Sequence, residues 1–329
     1  MESPETQTIS VCIPTFRRNE RLRAVLDDLA LQERRPDQVV VVDNDATGAA
    51  RSVVEQFRAS GVPFRVDYDV QTEPNIAATR NRTVQLASGD WMAFVDDDER
   101  APRSWLRELM LAAETCRADG VLGPVEPQVP AAAPAWIQAG RFYDFPHQEE
   151  GAEVPLNCLR FGNVLLRANR LRAESGPFDP SYGLMAGEDT DLLTRLVRNG
   201  AKIVWTERAP VFEPVEAARL SLRYLMLRAV SGGQGFARYT LSGRFRPIAT
   251  AGAALFLFRS LAQLLIAAVM TPLSLPFGRH HAAAWLVKVS SNFGKLSVLW
   301  GWHYHAYGRG AGGSSDPRPS AATERSASS

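Results

Sequence analysis

Three consecutive carboxylates are the strongest candidates for chemistry in this chain. Asp96, Asp97 and Asp98 directly follow Trp91–Val95, an apolar segment typical of a buried strand. Hard oxygen ligands at this density suit Mg²⁺ or Mn²⁺ bridging a diphosphate, because such an ion takes further ligands from phosphate oxygens and water. The expected chemistry is displacement of a nucleoside diphosphate, and Asp98 is expected to be exposed. A solvated acidic turn is the alternative.

A fourth carboxylate, Asp43, ends the apolar segment Val39–Val42 and is expected at the same edge of a sheet. It can accept the N–H groups of a uracil or guanine edge and so select the nucleotide base. An Asx turn with Asn44 and Asp45 is the competing interpretation. The first predicted strand ends with residues that either line the base pocket or only terminate the strand, namely Pro14, Thr15 and Phe16.

Two further polar residues, Arg80 and Asn81, lie on a predicted helix that precedes the acidic strand and has Asn75 as its N-cap. Their side chains are expected to reach the nucleotide or the diphosphate. The alternative is that they only form the solvated face of that helix.

A second acidic cluster, Glu188, Asp189 and Asp191, starts a predicted helix after the glycine-rich loop Gly183–Gly187. The loop leaves room for an acceptor, and a carboxylate here is predicted to take the proton of an acceptor hydroxyl as that hydroxyl attacks an anomeric carbon. The neighbouring carboxylates would orient the base or the acceptor. The helix macrodipole explains acids in a first turn without any catalytic role.

Composition excludes several other classes of protein. The 329 residues carry a formal net charge of +1, which gives no basic field for nucleic acid. The three cysteines are too few and too scattered for a disulfide framework. The polar segment Met1–Thr8 lacks the pattern of a secretory signal, so the catalytic part is expected in the cytoplasm.

Apolar strands alternate with amphipathic helices from Ile9 to about Pro214, which predicts a doubly wound, mixed α/β sheet flanked by helices. Residues 1–215 are the predicted catalytic domain, 216–307 a helical region, and 308–329 a disordered tail. In the loop Ala131–Glu153, Trp136 is a candidate for stacking on an acceptor sugar, although aromatic core packing explains it equally well.

The segment Ala249–Phe277 is apolar enough to meet lipid. Two polar residues and two prolines are expected to prevent a simple spanning helix, which favours monotopic or re-entrant attachment; they are Arg259, Gln263, Pro272 and Pro276. A buried helical pair or a dimer face is the alternative. The predicted location is the cytoplasmic face of a bacterial inner membrane, with the membrane surface and a lipid-linked acceptor as partners.

The order and spacing of these motifs resemble the inverting family-two glycosyltransferases with the GT-A fold. More narrowly, Phe94–Glu99, Gly162–Leu165 and Gly187–Thr190 resemble the succinoglycan-biosynthesis ExoM group of bacterial exopolysaccharide glycosyltransferases. The resemblance covers roughly two-thirds of the chain by motif matching.

The resemblance implies roles for particular residues. It assigns Asp43 to the base, Asp97 and Asp98 to ribose and metal, and Asp189 to the general base. Many relatives carry a histidine ligand after the last core strand where this chain has Glu213, which is expected to substitute.

The resemblance also bears on the number of sugars transferred. Processive synthases carry Q-x-x-R-W, whereas Gln234 and Arg238 are one residue too far apart and Tyr239 follows, so a single sugar is expected. A sugar nucleotidyltransferase and a non-catalytic partner of a polysaccharide assembly complex remain the competing functions.

Overall fold

The computed structural model describes residues 7–174, 176–182, 187–243 and 249–302. The strands in that part of the chain are β1 (Ile9–Thr15), β2 (Gln38–Asp43), β3 (Arg65–Val70), β4 (Trp91–Phe94), β5 (Gly120–Leu122), β6 (Val125–Gln128), β7 (Val164–Arg167), β8 (Ile203–Trp205) and β9 (Val211–Pro214). The helices are α1 (Asn19–Ala30), α2 (Arg51–Ala59), α3 (Ile76–Leu86), α4 (Trp105–Cys116), α5 (Ala135–Gly140), α6 (Ala168–Arg172), α7 (Glu188–Arg198), α8 (Leu222–Leu241), α9 (Thr250–Ser274) and α10 (Arg279–Ser297).

A mixed seven-stranded sheet in the order β3-β2-β1-β4-β7-β5-β8 lies at the centre of the molecule. The strands from β3 to β4 are parallel, β7 runs antiparallel to both of its neighbours, and β8 is parallel to β5. The carboxyl ends of β1, β2 and β4 therefore meet at one edge. This arrangement confirms the predicted mixed α/β sheet.

Helices cover both faces of this sheet. Every residue of β1 and β2 is therefore buried, since side chains on either face of these strands pack against a helix layer. One apolar core joins the sheet to α1, α2 and α4, and the other joins it to α3, α6 and α7. The helix N-cap predicted at Asn75 is confirmed, since its side chain accepts the Ala78 N–H at 3.2 Å.

The strand-like apolar segment Val121–Val125 is divided between two sheets. β5 belongs to the central sheet, whereas β6 pairs in parallel with β9 in a separate two-stranded sheet. Gly123 lies between the two strands, and a Cβ atom there would lie 2.4 Å from the carbonyl oxygen of Ala209. The close approach of that second backbone segment, which sequence periodicity does not reveal, separates the two strands.

The prolines of the apolar segment do not interrupt its helix, and the mode of membrane attachment stays a prediction. α9 is one continuous helix of 25 residues that contains Pro272, and a short 3₁₀ helix, Leu275–Phe277, follows it. Pro272 lies in the last turn, so it removes only one hydrogen bond close to the helix end. By length and composition, 250–277 is the one stretch of the described residues able to cross a membrane.

The C-terminal helices pack closely. A Cβ atom on Gly233 of α8 would lie 2.1 Å from the carbonyl oxygen of Ser291, and one on Gly294 of α10 would lie 2.2 Å from that of Val230. The Gln234 side-chain amide also donates to Ser297 Oγ at 2.8 Å. The boundary proposed at residue 215 stays a prediction, and the tail 308–329 lies outside the described residues.

Candidate active site

The end of β1 holds the second aspartate of the acidic run. Thr15 Oγ1 donates to Asp97 Oδ2 at 2.8 Å, and the Phe16 N–H donates to the same oxygen at 3.3 Å. Burial raises the pKa of Asp97 to about 6; the nearby Asp98 adds to the rise, whereas Arg18 opposes it. Pro14 is buried in β1 and Phe16 is exposed, so the predicted base-lining residues face different surroundings.

Three guanidinium groups converge on one oxygen of Asp98. Arg18, at the N-cap of α1, donates from Nη1 to Asp98 Oδ2 at 2.9 Å and to Asp97 Oδ1 at the same distance. Arg21 and Arg219 each approach that Asp98 oxygen at 3.4 Å. Asp98 is therefore only 6% exposed, which corrects the expectation of an exposed carboxylate.

Sequence reasoning missed these arginines. Arg18 follows β1 by a few residues, a position that signals a strand-end site, but nothing local to Arg219 points to Asp98. Arg219 also donates to Glu213, the residue expected to join the metal ligands. Burial raises the pKa of Glu213, and the neighbouring Asp98 adds to that rise.

Asp96 is the most accessible member of the acidic run, with a side chain 40% exposed. Its backbone N–H donates to Glu99 Oε2 at 2.9 Å, which fixes the turn after β4. Glu99 is buried, and this raises its pKa, with Asp96 adding to the effect. Gly162 leaves room for Glu99, because a Cβ atom there would lie 2.8 Å from Glu99 Oε1.

Arg80 joins the two acidic clusters that were predicted separately. Its Nη1 donates to Glu188 Oε1 at 2.7 Å and its Nη2 to Asp96 Oδ1 at 3.3 Å. The guanidinium also lies 4.9 Å from the ring centre of Phe161. Arg80 is therefore buried at the centre of the site, and the solvated-face alternative does not describe it.

Glu188 and Asp189 begin α7 in different surroundings. Glu188 is 2% exposed, and burial raises its pKa to about 7, with Asp189 adding to the rise and Arg80 opposing it. Its Oε2 is buried without a hydrogen-bond partner among the residues that the structure describes. Asp189 is half-buried and accepts the Thr190 N–H at 2.7 Å. The predicted acceptor loop Gly183–Gly187 lies mostly outside the described residues.

Several predicted site residues also support the local structure. The side-chain amide of Asn81 binds the backbone of Phe178: it donates to the carbonyl oxygen at 2.6 Å and accepts the N–H at 2.9 Å. Asp43 is fully buried and accepts the N–H groups of Asp45 and Ala50, which is the Asx-turn arrangement left open above. The nucleotide contacts of Asn81 and Asp43 stay predictions.

The two acceptor candidates are positioned by packing. Asp191 is fully buried and pairs with Arg195 Nε at 3.0 Å. Trp136 lies on α5 against Phe142, with ring centres 5.7 Å apart, beside a small apolar cluster that includes Tyr143. The Tyr143 hydroxyl donates to the carbonyl oxygen of Arg219, so this segment borders the acidic run. The acceptor contacts of Asp191 and Trp136 stay predictions.

The donor set of the acidic run fits a hard cation. No three carboxylate, histidine or cysteine side chains in the described ranges converge as a ready metal site. Instead, one guanidinium nitrogen of Arg18 bridges Asp97 and Asp98 and occupies the position of a cation between them. Mg²⁺ commonly takes one or two protein carboxylates and completes its shell with phosphate and water, which these residues allow.

Sequence comparisons identify relatives of this chain. A family model described as "Glycosyl transferase family 2" matches residues 10–154, which include the acidic run. Succinoglycan biosynthesis protein ExoM of Rhizobium meliloti (strain 1021) is 36% identical over 239 residues, covering 71% of this chain and 75% of that protein. Galactofuranosyltransferase GlfT1 of Mycobacterium tuberculosis (strain ATCC 25618 / H37Rv) is 29% identical over 210 residues. The match covers 59% of this chain and 66% of that protein.

Solved structures share the fold. Mannosyltransferase PcManGT of Pyrobaculum calidifontis, in complex with GDP-Man and Mn²⁺, aligns with a TM-score of 0.60 at 17% identity, covering 89% of this chain and 88% of that one. S. aureus TarS 1-349, in complex with UDP-GlcNAc, aligns with a TM-score of 0.50 at 17% identity. The alignment covers 90% of this chain and 93% of that one. These alignments confirm the predicted GT-A-like fold class.

Proposed function

The chain belongs to glycosyltransferase family 2, and from this we propose that it adds a single sugar to a saccharide with inversion at the anomeric carbon. It is a glycosyltransferase of polysaccharide biosynthesis. The proposed donor is a nucleotide-diphosphate sugar, because proteins of the same fold bind UDP-GlcNAc and GDP-Man. The observation that carries the proposal is Arg80, which joins Asp96 at the end of β4 to Glu188 at the start of α7.

The donor would lie along the carboxyl ends of β1, β2 and β4. Asp43 and the β1 end, from Pro14 to Phe16, would contact the base. Asp97 would contact the ribose. Other parts of the nucleotide sugar would meet Asp96, Arg80 and Asn81. Asp98 and Asp97 would hold Mg²⁺ or Mn²⁺, which when bound neutralises charge on the leaving diphosphate. The nearby guanidinium of Arg18 is a second cation available to that diphosphate.

Asp189 is the proposed general base. It would take the proton of the acceptor hydroxyl as the hydroxyl oxygen bonds to the anomeric carbon and the bond from that carbon to the diphosphate oxygen breaks. Attack from the face opposite the leaving group inverts the configuration. The ion pair between Glu188 and Arg80 would hold the two acidic clusters in fixed positions relative to each other during transfer.

The acceptor is proposed to be lipid-linked and used at the cytoplasmic face of a bacterial inner membrane. α9 supports this, since its exposed side chains include Phe258, Leu265 and Ile266. A buried helical pair leaves few such residues in solvent, whereas lipid would cover them.

A donor-hydrolysis screen tests the proposal directly. The full-length protein is incubated with a panel of UDP- and GDP-sugars, with Mg²⁺, Mn²⁺ or excess chelator. We expect release of UDP or GDP from one donor and loss of this release in chelator. Release of pyrophosphate from a nucleoside triphosphate and a sugar phosphate would instead identify a nucleotidyltransferase.

A further inference from the structure

The charge of this chain is divided unevenly along its length. Residues 217–315 contain eleven arginine or lysine residues and neither aspartate nor glutamate. Since the formal net charge of the whole chain is +1, the remaining residues carry a net charge of −10. The acidic part forms the central sheet and the active site, whereas the basic part contains α8, α9 and α10. Positive charge is therefore concentrated on the C-terminal helices.

α9 presents one of these cations on an apolar face. Arg259 is exposed and, at helical spacing, shares a face with the exposed residues Ile266 and Leu273. No carboxylate of the described residues lies within ion-pair distance of Arg259. A guanidinium without a partner is costly inside hydrocarbon, so this side chain is expected to extend to the headgroup layer of a bilayer that covers the face.

A second cation follows the other end of α9. Arg279 begins α10 and is exposed, two residues after Phe277, which is 77% exposed. In the part of the chain that the structure describes, Arg279 has no carboxylate within ion-pair distance either. An apolar ring beside a cation suits the boundary between acyl chains and headgroups, where each group meets the surroundings that it prefers.

A bilayer with a net negative surface charge matches both the apolar and the basic features of this surface. Lipid tails cover apolar side chains, and anionic headgroups attract the cations that no acidic residue of the segment neutralises. A second copy of the chain would instead bring like charges together, which opposes pairing of two such faces. The acidic remainder of the molecule is repelled by anionic lipid, so the C-terminal helices would meet the surface first.

We propose that α9, together with Arg259 and Arg279, binds a phospholipid surface that carries net negative charge. The proposal rests on the proposed function in taking α9 to be the membrane-attached part, and it adds the charge of the lipid that α9 prefers. The basic segment begins at the active site, because Arg219 pairs with Asp98 and Glu213. Binding of this segment would therefore hold the active site near the surface that presents a lipid-linked acceptor.

Vesicle flotation of the full-length protein tests the proposal without requiring turnover. Vesicles of phosphatidylcholine alone are compared with vesicles of an equal mixture of phosphatidylcholine and phosphatidylglycerol. We expect tighter binding to the mixed vesicles, and this preference should weaken as salt is added. Arg259→Gln combined with Arg279→Gln should lower the affinity for mixed vesicles about thirtyfold, since each cation near an anionic surface contributes roughly fivefold. Affinity for phosphatidylcholine should not change, and the corresponding double lysine variant should retain the preference.

Arg65→Gln combined with Arg107→Gln is the matched control. It makes the same change of net charge at two exposed side chains of the acidic part, each of which already pairs with a carboxylate. This variant should keep the preference for mixed vesicles. Equal binding of the wild type to both kinds of vesicle would overturn the proposal, even if the Arg259 and Arg279 variants fail to fold. An undiminished preference in the double glutamine variant at Arg259 and Arg279 would overturn it as well.

Further measurements separate this proposal from the proposed function. A wild type that binds neither kind of vesicle would overturn the proposal and contradict membrane attachment too. Self-association of the wild type through α9 without vesicles would assign the face to a second copy and so overturn the proposal. Donor hydrolysis in solution reports the transferase activity independently of lipid, and the variants at Arg259 and Arg279 should retain it, because neither residue lies in the candidate active site.

Discussion

Asp189 and Glu188 are adjacent in sequence but differ in exposure, and this difference makes their roles separable. Asp189→Asn keeps the side-chain shape and its contact with the Thr190 N–H, but it removes the proton acceptor. We expect transfer to fall by roughly a hundredfold or more, with donor binding nearly unchanged. Product formation at fixed donor and acceptor gives the rate, and NMR gives the anomeric configuration. A wild-type rate, or retention of configuration, would reject Asp189 as the base.

Glu188 should make stability depend on pH. Burial raises its pKa from 4.5 to about 7, so the folded protein binds a proton that the unfolded chain releases between these values. Stability is therefore greatest below pH 4.5 for this group and falls as the pH rises through about 7, by roughly 3 kcal/mol at most. Glu188→Gln should flatten that part of the curve. Melting temperatures from pH 4.5 to 7.5 measure it, and an unchanged slope in the variant contradicts the assignment.

Asp98→Asn tests the acidic run. We expect loss of transfer, because the amide is a weak metal ligand and no longer balances the charge of Arg18, Arg21 and Arg219. Each arginine also loses one of its two carboxylate partners, since Arg18 keeps Asp97, Arg21 keeps Glu216 and Arg219 keeps Glu213, so the fold should be destabilised by about 2 kcal/mol. Asp27→Asn, at an exposed carboxylate of α1, is the control and should change neither property. Full activity of Asp98→Asn, or of the wild type in excess chelator, would exclude metal-dependent transfer.

At the scale of elements, the contact between α8 and α10 depends on residues without side chains. Gly294→Ala places a methyl group where Val230 O lies 2.2 Å away, so the helices must separate. We expect a loss of about 1–3 kcal/mol in the free energy of unfolding. Gly232→Ala, on α8 beside Gly233, meets nothing within 4 Å and should stabilise by up to about 1 kcal/mol through helix propensity. Denaturant titration measures the free energy of unfolding of both variants. Equal changes would show that α8 and α10 are not closely packed at Gly294.

At the scale of the whole molecule, α9 should determine where the enzyme resides. Its long apolar surface predicts that the full-length chain sediments with membranes and is released by detergent. Phe258→Lys combined with Leu265→Lys should shift it to the soluble fraction, since a charge in the hydrocarbon region costs about 2.5–3.5 kcal/mol. Leu31→Lys, at an exposed leucine just after α1, is the control and should not move the protein. A wild type that is wholly soluble without detergent would contradict membrane attachment.

The sequence by itself determined the order of strands and helices, because burial on two faces and helical periodicity are local properties of the chain. It also placed the acidic run at a strand end and an acidic pair at a helix start. Tertiary structure alone decided which charges meet. Arg80 reaches Glu188 across 108 positions and Arg219 reaches Asp98 across 121, and such pairings depend on how the sheet and helices pack. For the same reason the burial of Asp98 and the division between β5 and β6 were not predictable, since each depends on residues distant in sequence.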